Sequence, residues 1–303
     1  MSKRTRSEEL KALNSVVAAA VKNFKPPEDL TVTEWAEKYR RLSPENSAEA
    51  GPWRTSRTPY LREIMDAFTD PKIRRLVVVA SSQVGKSEME LNMLGYLIDI
   101  DPGPVLFILP TVDVAQDFSK RRISAMIRDC KRLREKVADA KSRDGNNTVL
   151  KKQFPGGMLT ITGANSPAAL ASIPARYVFG DERDRWPLSA GAEGDPWGLA
   201  EARTTTFYNS KMVEVSTPTI KGASAIEASF ELGTRERWCH QCPGCGEFHN
   251  IVFNDIKFDF ETNKINGKKV YKIKSVWWQC PSCGHTTTES TMKKQPAKWI
   301  AEN

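Results

Sequence analysis

The chain has 303 residues, a formal net charge of +8 and a sequence pI near 9.1. That length accommodates one large domain plus a small one, because single cores stop growing at roughly 250 to 300 residues. No stretch approaches a membrane span, and the apolar run at 16–21, preceded by Glu8, Glu9 and Lys11, is too short for a secretory leader, so a cytosolic setting without membrane contact is expected.

Residues 7–24 place Leu10, Leu13, Val17 and Val21 at helical spacing and close on Lys25-Pro26-Pro27. A second short helix is predicted behind an N-cap at Thr33, ending before Pro44. Together, residues 1–49 make a helical N-terminal arm that either docks a partner or packs on its own domain. Next, Trp53 and Tyr60 precede a helix through Ile64, Met65 and Phe68. Aromatic residues here suit an adenine pocket, in which a ring stacks on the base, or simply cover the edge of the core.

Leu76, Val77, Val78 and Val79 form a short buried strand that runs into Ser81-Ser82-Gln83-Val84-Gly85-Lys86-Ser87 and then into a helical pattern with Met89, Met93, Leu94 and Leu97 on one side. Strand, polar loop ending in Gly-Lys-Ser, then helix is the context a phosphate-binding P-loop requires. The loop amides and the positive helix end would wrap a triphosphate. Lys86 would reach the outer phosphates and Ser87 would ligate magnesium. The general pattern has Gly five residues before Gly85, where this chain has Ala80.

Beyond the P-loop helix, Pro104–Leu109 is a second buried strand, and a long basic helix is predicted over 112–137. Residues 120–152 hold 12 Lys and Arg against 4 Asp and Glu, a local excess equal to that of the whole chain. Such a concentration points to nucleic acid or to a solvated helix face. A hairpin follows, with 149–154 and 158–162 flanking Pro155-Gly156-Gly157. The alternation of strand and helix implies a mainly parallel sheet with right-handed crossovers.

Residues 176–180 form another apolar strand, ending in Asp181-Glu182. At the end of a strand neighbouring the P-loop, Asp181 would hold magnesium and Glu182 would align a water on the terminal phosphate. The adjacent pair points to ATP hydrolysis of the translocase kind, and no Asn-Lys-x-Asp guanine reader is present. A further strand over 211–215 leads into Ser216-Thr217-Pro218-Thr219, whose hydroxyls either sense hydrolysis or make a simple turn.

Two near-identical knuckles follow, Cys242-Pro-Gly-Cys245-Gly and Cys280-Pro-Ser-Cys283-Gly. Four thiolates in two such turns match a tetrahedral structural zinc, with Gly246 and Gly284 permitting the tight turns and Cys239 and His240 as spectators. Strands are expected at 251–260 and 270–278. The expected division is thus an arm at 1–49, an ATPase domain at 50–235 and a zinc-ribbon subdomain at 236–303.

The segments PYLREIMDAF, SSQVGKSE, VLFILPTVDVAQDFSKRRI, YVFGDERDRWP, EVSTPT, CPGCG and CPSCG occur in the order found in phage terminase large subunits of the lambda GpA type. The chain resembles that family over about residues 50–303. The resemblance implies an α/β P-loop NTPase of the ASCE/RecA-like kind, with a mainly parallel sheet, beside a small zinc-ribbon β subdomain. It implies an ATPase motor that drives viral double-stranded DNA into a procapsid, using ATP, Mg2+ and Zn2+. Lys86 and Ser87 would serve in the P-loop, Asp181 and Glu182 as the acidic pair, and Ser216 and Thr217 as the coupling motif. Implied partners are DNA, a terminase small subunit engaged through residues 1–49, the portal and procapsid, and further copies in a homo-oligomeric ring, in the host cytoplasm.

Two departures stand out. Several family members carry an Arg inside the P-loop segment, where this loop has Ser82 and Gln83; the expectation is a finger from a neighbouring subunit, with Arg121, Arg122, Arg128 and Arg203 as candidates. Family members also continue into a nuclease domain, so no DNA cleavage is expected of this sequence. The alternative reading is a nucleic-acid-binding zinc-ribbon protein whose P-loop is inactive.

Overall fold

The computed structural model describes residues 28–137, 147–265 and 268–303, together with Leu10, Asn14, Ser15 and Val17. The helix predicted at 7–24 therefore falls largely outside the described residues. The first described helix, α1, spans Val32–Tyr39. Its N-cap is Thr31 rather than Thr33, because Thr31 and Glu34 complete a reciprocal capping box while Thr33 is buried, its hydroxyl donating to the Arg62 carbonyl. Two short strands, β1 (Arg41–Leu42) and β2 (Gly51–Pro52), pair antiparallel and lead to α2 (Leu61–Thr69).

Six strands make the central sheet: β3 (Arg75–Val79), β4 (Pro104–Leu109), β5 (Lys151–Phe154), β6 (Gly157–Gly163), β7 (Tyr177–Asp181) and β8 (Lys211–Ser216). Their order is β3-β8-β7-β4-β6-β5, parallel throughout except for the β5–β6 hairpin. The strand that ends in the acidic pair is thus not adjacent to the P-loop strand; β8 lies between them. Two apolar layers cover the sheet, and the alternation of side chains along each strand divides them. Val105, Phe107, Leu109, Tyr177 and Phe179 join the layer beneath α1, α2 and the P-loop helix α3 (Lys86–Asp99). Leu106, Ile108 and Val178 join a smaller layer with Trp186 and Trp197.

The predicted basic helix is broken. It runs as α4 (Val112–Phe118), a π-helical turn over Ser119–Ile123, α5 (Ser124–Asp129), an extended Cys130, and α6 (Lys131–Lys136). A π turn accommodates one extra residue and re-aims the side chains around it; here these are Lys120, Arg121 and Arg122. Two short helices complete the domain around β7 and β8, α7 (Pro167–Ala171) and α8 (Pro196–Ala202), and α9 (Ala225–Glu231) follows β8.

The remaining elements build two small sheets. One has the order β10-β9-β14, from β9 (Arg237–Gln241), β10 (Phe248–Asn250) and β14 (Ala297–Ile300). In the other, a long hairpin of β11 (Ile256–Ile265) and β12 (Lys268–Gln279) is joined by β13 (Thr286–Thr287). The strand expected at 251–260 is thus displaced to 256–265, since a short 3-10 turn occupies Phe253–Asp255, and the strand expected at 270–278 is lengthened at both ends. The first small sheet docks on the central-sheet domain through aromatic residues. Trp238 meets the Tyr60 ring edge-on at 6.3 Å, and the Trp299 indole donates to the Tyr60 carbonyl at 3.0 Å.

Candidate nucleotide site and cysteine centre

The P-loop connects β3 to α3, with Ser81, Ser82 and Gln83 exposed at its tip and Val84 and Gly85 half-buried. Left-handed backbone occurs at Gln83 (φ 64°) and Gly85 (φ 87°), and Ala80 is not among the positive-φ residues. Ala80 therefore replaces the expected glycine without backbone strain, and its amide donates to the Ser216 carbonyl at 3.1 Å. Gly85 also lies close against α2, where an added Cβ would stand 3.1 Å from Leu61.

Lys86 is buried and gathers three segments. Its ammonium donates to the carbonyls of Ala80 (3.3 Å) and Ser81 (3.2 Å) and to the Thr217 hydroxyl, and it lies 3.6 Å from the Glu182 carboxylate. The interposed strand β8 brings Thr217 to this point. Ser216 is turned differently: its hydroxyl accepts from the Asp184 amide at 3.1 Å and donates to the Thr217 carbonyl. Asp184, which sequence reasoning passed over, accepts from the Thr219 amide (2.9 Å) and from the Ile226 amide (2.8 Å) at the start of α9. It thereby ties the acidic loop to the segment after β8. The only advance signal for it was its place two residues past the pair.

Asp181 is buried at the end of β7, and Glu182 follows in left-handed backbone (φ 50°). Burial, then the neighbouring Glu182 charge, push the Asp181 carboxyl up to about 6. Asp181 Oδ1 and Glu182 Oε2 have no hydrogen-bond partner among the described residues, although the exposed Arg185 guanidinium stands 3.4 Å from the latter. Hard carboxylate oxygens left open in this way are the donors magnesium takes, with water filling its other positions. A further acidic group, Glu90 on α3, is fully buried and was not singled out in the sequence.

Beside the loop lies an open cavity of about 600 Å³, bounded by Trp53, Arg54, Arg57, Tyr60, Val84 and Glu88. Tyr60 donates to the Val84 carbonyl at 3.1 Å, so its ring is fixed against the P-loop. Among the arginines, Arg122 pairs with Glu88 at 2.8 Å, and buried Arg40 holds the same carboxylate at 2.7 Å. Exposed Arg121 pairs with Asp117, and Arg128 pairs with Glu45 and Asp129. Arg203 donates to the Ala171 carbonyl at the end of α7, away from the loop. Of the four, only Arg122 is tied to the P-loop helix of its own chain.

The cysteine centre is built by two matching turns. In the first, the Cys242 amide donates to the Glu247 carbonyl and the Gly246 amide to the Cys242 carbonyl; in the second, Cys280 and Gly284 repeat both bonds with His285 and Cys280. Gly246 and Gly284 both take positive φ. The four sulfurs lie within 4.8 Å of one another, with Cys242–Cys283 and Cys245–Cys280 each at 3.8 Å. A tetrahedron with Zn–S bonds of about 2.3 Å requires sulfur–sulfur edges of about 3.8 Å, so the thiolates fit that ion. Cys239 lies outside this group, its thiol facing the Arg237 carbonyl. His249 was missed: its Nε2 lies 3.4 Å from Cys280 Sγ.

A family model described as the phage terminase large subunit gpA ATPase domain matches residues 47–299. The chain is 29% identical over 303 residues to the terminase large subunit of Enterobacteria phage P21, covering 98% of this chain and 46% of that protein. It is 28% identical over 256 residues to the terminase large subunit of Escherichia phage lambda, covering 84% and 40%. The chain thus spans less than half the length of these curated relatives. Among solved structures, the large terminase from a thermophilic bacteriophage gives a TM-score of 0.38 at 17% identity, covering 55% of this chain and 39% of that one. The ATPase domain of the Thermus phage P74-26 large terminase gives 0.37 at 18%, covering 57% and 67%. With the family model matched over most of its length, the chain belongs to the phage terminase large subunit gpA ATPase-domain family.

Proposed function

We propose that the chain is the ATP-hydrolysing motor of viral DNA packaging, with an ASCE/RecA-like P-loop core and a zinc-stabilised ribbon. The observation that carries this is the convergence on Lys86, where the P-loop, the Glu182 carboxylate and the Thr217 hydroxyl meet from three separate segments. Lys86 would neutralise the outer phosphates, with Ser87 and Asp181 holding magnesium, directly or through water. Held by these residues, magnesium would supply neutralisation of the charge that builds up on the phosphates. Glu182 would align the attacking water. Ser81, Ser82, Gln83, Val84 and Gly85 would wrap the phosphates, and Tyr60 would border the base in the cavity it shares with Trp53.

Ser216 and Thr217 would carry the hydrolysis signal, since Ser216 is hydrogen-bonded to the loop after the acidic pair. The basic excess over 120–152 supports a grip on DNA phosphates, in a ring of copies acting with a small subunit, portal and procapsid in the host cytoplasm. A finger supplied to a neighbouring subunit's phosphates would come from Arg121, Arg122, Arg128 or Arg203, and Arg122 would have to leave its pairing with Glu88 of its own chain to serve. Zinc is supported by the sulfur spacing alone. The test is DNA-stimulated ATP hydrolysis by the wild type and Glu182→Gln. Hydrolysis lost in the variant with ATP binding retained is expected; a wild type inert with and without DNA sinks the motor.

A further inference from the structure

We propose that Glu90 is a positioning residue of the magnesium–triphosphate site, orienting from the buried face of the P-loop helix the water around the cation. The inference rests on the nucleotide site argued above and adds to it a residue that belongs to neither the P-loop nor the acidic pair. Glu90 follows Ser87 by three residues and Lys86 by four on α3, so its side chain neighbours each of theirs on the helix surface. It is 0% exposed, and neither carboxyl oxygen has a hydrogen-bond partner among the described residues. Asp181, 5% exposed, presents an equally unpartnered Oδ1. Burial, followed by the charges of Asp181 and Glu182, pushes the Glu90 carboxyl well above the usual range, which places the three acids in one field with Lys86 opposing.

A buried carboxyl without partners destabilises a fold. Leu91, Met93 and Leu94 around it are also buried, so an apolar side chain would suit the packing better. Such groups persist where they serve a site. With both oxygens unpartnered, one helical turn from Ser87 and Lys86, Glu90 would accept hydrogen bonds from water shelled around a cation held by Ser87 and Asp181, as carboxylates behind metal ligands do. Magnesium keeps several waters, so a carboxylate standing one water away from it can orient the ion without ligating it.

The experiment measures Mg2+-dependent binding of a fluorescent non-hydrolysable ATP analogue to the full chain, for wild type, Glu90→Leu and Glu90→Gln, with thermal unfolding of the nucleotide-free proteins. In Glu90→Leu the unfolding temperature is expected to hold or rise while the Mg2+ concentration for half-maximal binding increases about tenfold or more. Glu90→Gln, which keeps one acceptor oxygen, should shift the Mg2+ requirement the same way by less, and it carries the test if the leucine variant does not fold. An unchanged Mg2+ requirement in a folded variant overturns the inference. So does a lowered unfolding temperature in both variants with binding unaltered, which would make Glu90 a structural residue. If the wild type itself binds no analogue at any Mg2+ concentration, the nucleotide site fails and the inference with it.

Discussion

If the four clustered cysteines hold zinc as proposed, removing it should unfold the lobe that carries them and leave the central sheet standing. The apolar cluster of that lobe is small: Cys242, Trp278, Cys280 and Met292, with Ile251 packed against it. Burying the Trp278 and Met292 side chains contributes about 3–6 kcal/mol, taking roughly 1.5–3 for each as an upper estimate. A structural zinc contributes about 10–16 kcal/mol at neutral pH, two to three times as much. Chelation therefore removes most of what orders residues around the two knuckles, whereas the two layers on the central sheet have cores of their own. The assay is metal content of the purified chain, followed by near-UV circular dichroism and tryptophan fluorescence during titration with a strong chelator. About one zinc per chain is expected. Loss of the ion should expose Trp278, which is 4% exposed in the folded lobe. Cys280→Ser should behave like the chelated protein, and Cys239→Ser like the wild type, because Cys239 lies outside the four sulfurs. A chain that carries no stoichiometric metal, or a lobe signal that persists in chelator, refutes the reasoning.

Two predictions concern the framework beneath the P-loop helix. A Cβ at Gly95 would stand 2.2 Å from the Trp35 ring, so Gly95→Ala should cost about 3 kcal/mol or more in urea unfolding, the upper end of overpacking; a loss under about 1 kcal/mol would mean that Trp35 can move aside. Asp99, with its side chain fully buried, accepts from the Trp35 indole at 2.9 Å and pairs with Arg132 (3.0 Å) and Lys136 (2.7 Å). Burial raises its carboxyl, but the Lys136 and Trp35 hydrogen bonds and the cations outweigh it, and the net shift is below the ordinary 3.8. A carboxylate depressed in the folded state stabilises above its unfolded value and loses that contribution as pH falls through its folded value. Asp99→Ala should therefore cost about 3 kcal/mol at pH 7, the low end for a broken buried pair because both cations are partly exposed. Below about pH 4 the difference from wild type should shrink, and a gap that is independent of pH would assign the loss to packing.

Much of the fold was legible because apolar runs bounded by turn residues identify buried strands. The run at 104–109 coincides with β4 and that at 211–215 falls one residue short of the end of β8, while of the turn expected at Pro155-Gly156-Gly157 the last glycine already opens β6 of the β5–β6 hairpin. What composition did not reveal was spatial order. Nothing in the β8 run says that it inserts between β3 and β7, since strand order is decided by crossovers and not by the strands themselves. The basic stretch read as one helix because its residues are good helix formers; the π turn at Ser119–Ile123 and the extended Cys130 answer to tertiary contacts, including the Cys130 thiol facing the Tyr39 carbonyl. Thr33 looked like a cap until burial claimed it. Glu90 left no trace either, because a glutamate on a helix is ordinarily a solvent-facing residue, and only its complete burial marks it as unusual.

The position of β8 also explains why a hydroxyl segment stands where it does. With β3 and β7 adjacent, the P-loop and the acidic pair would face each other directly, and nothing from a third strand could stand between them. Inserting β8 places Thr217 against Lys86 and Ser216 against the Asp184 amide, one residue to each side. Asp184 extends the chain of bonds to Thr219 and to the start of α9 at Ile226, and α9 in turn lies along β3. Phe230 of α9, the Gly233–Glu236 turn and Trp299 line one groove beside β3, and Trp299 reaches back to Tyr60, whose hydroxyl holds Val84 of the P-loop. The loop is therefore braced from two directions, through Thr217 on one side and through Tyr60 on the other. Val84 is thus joined by hydrogen bonds through Tyr60 to Trp299, which connects the P-loop physically to the β9–β14 sheet beside the cysteine centre.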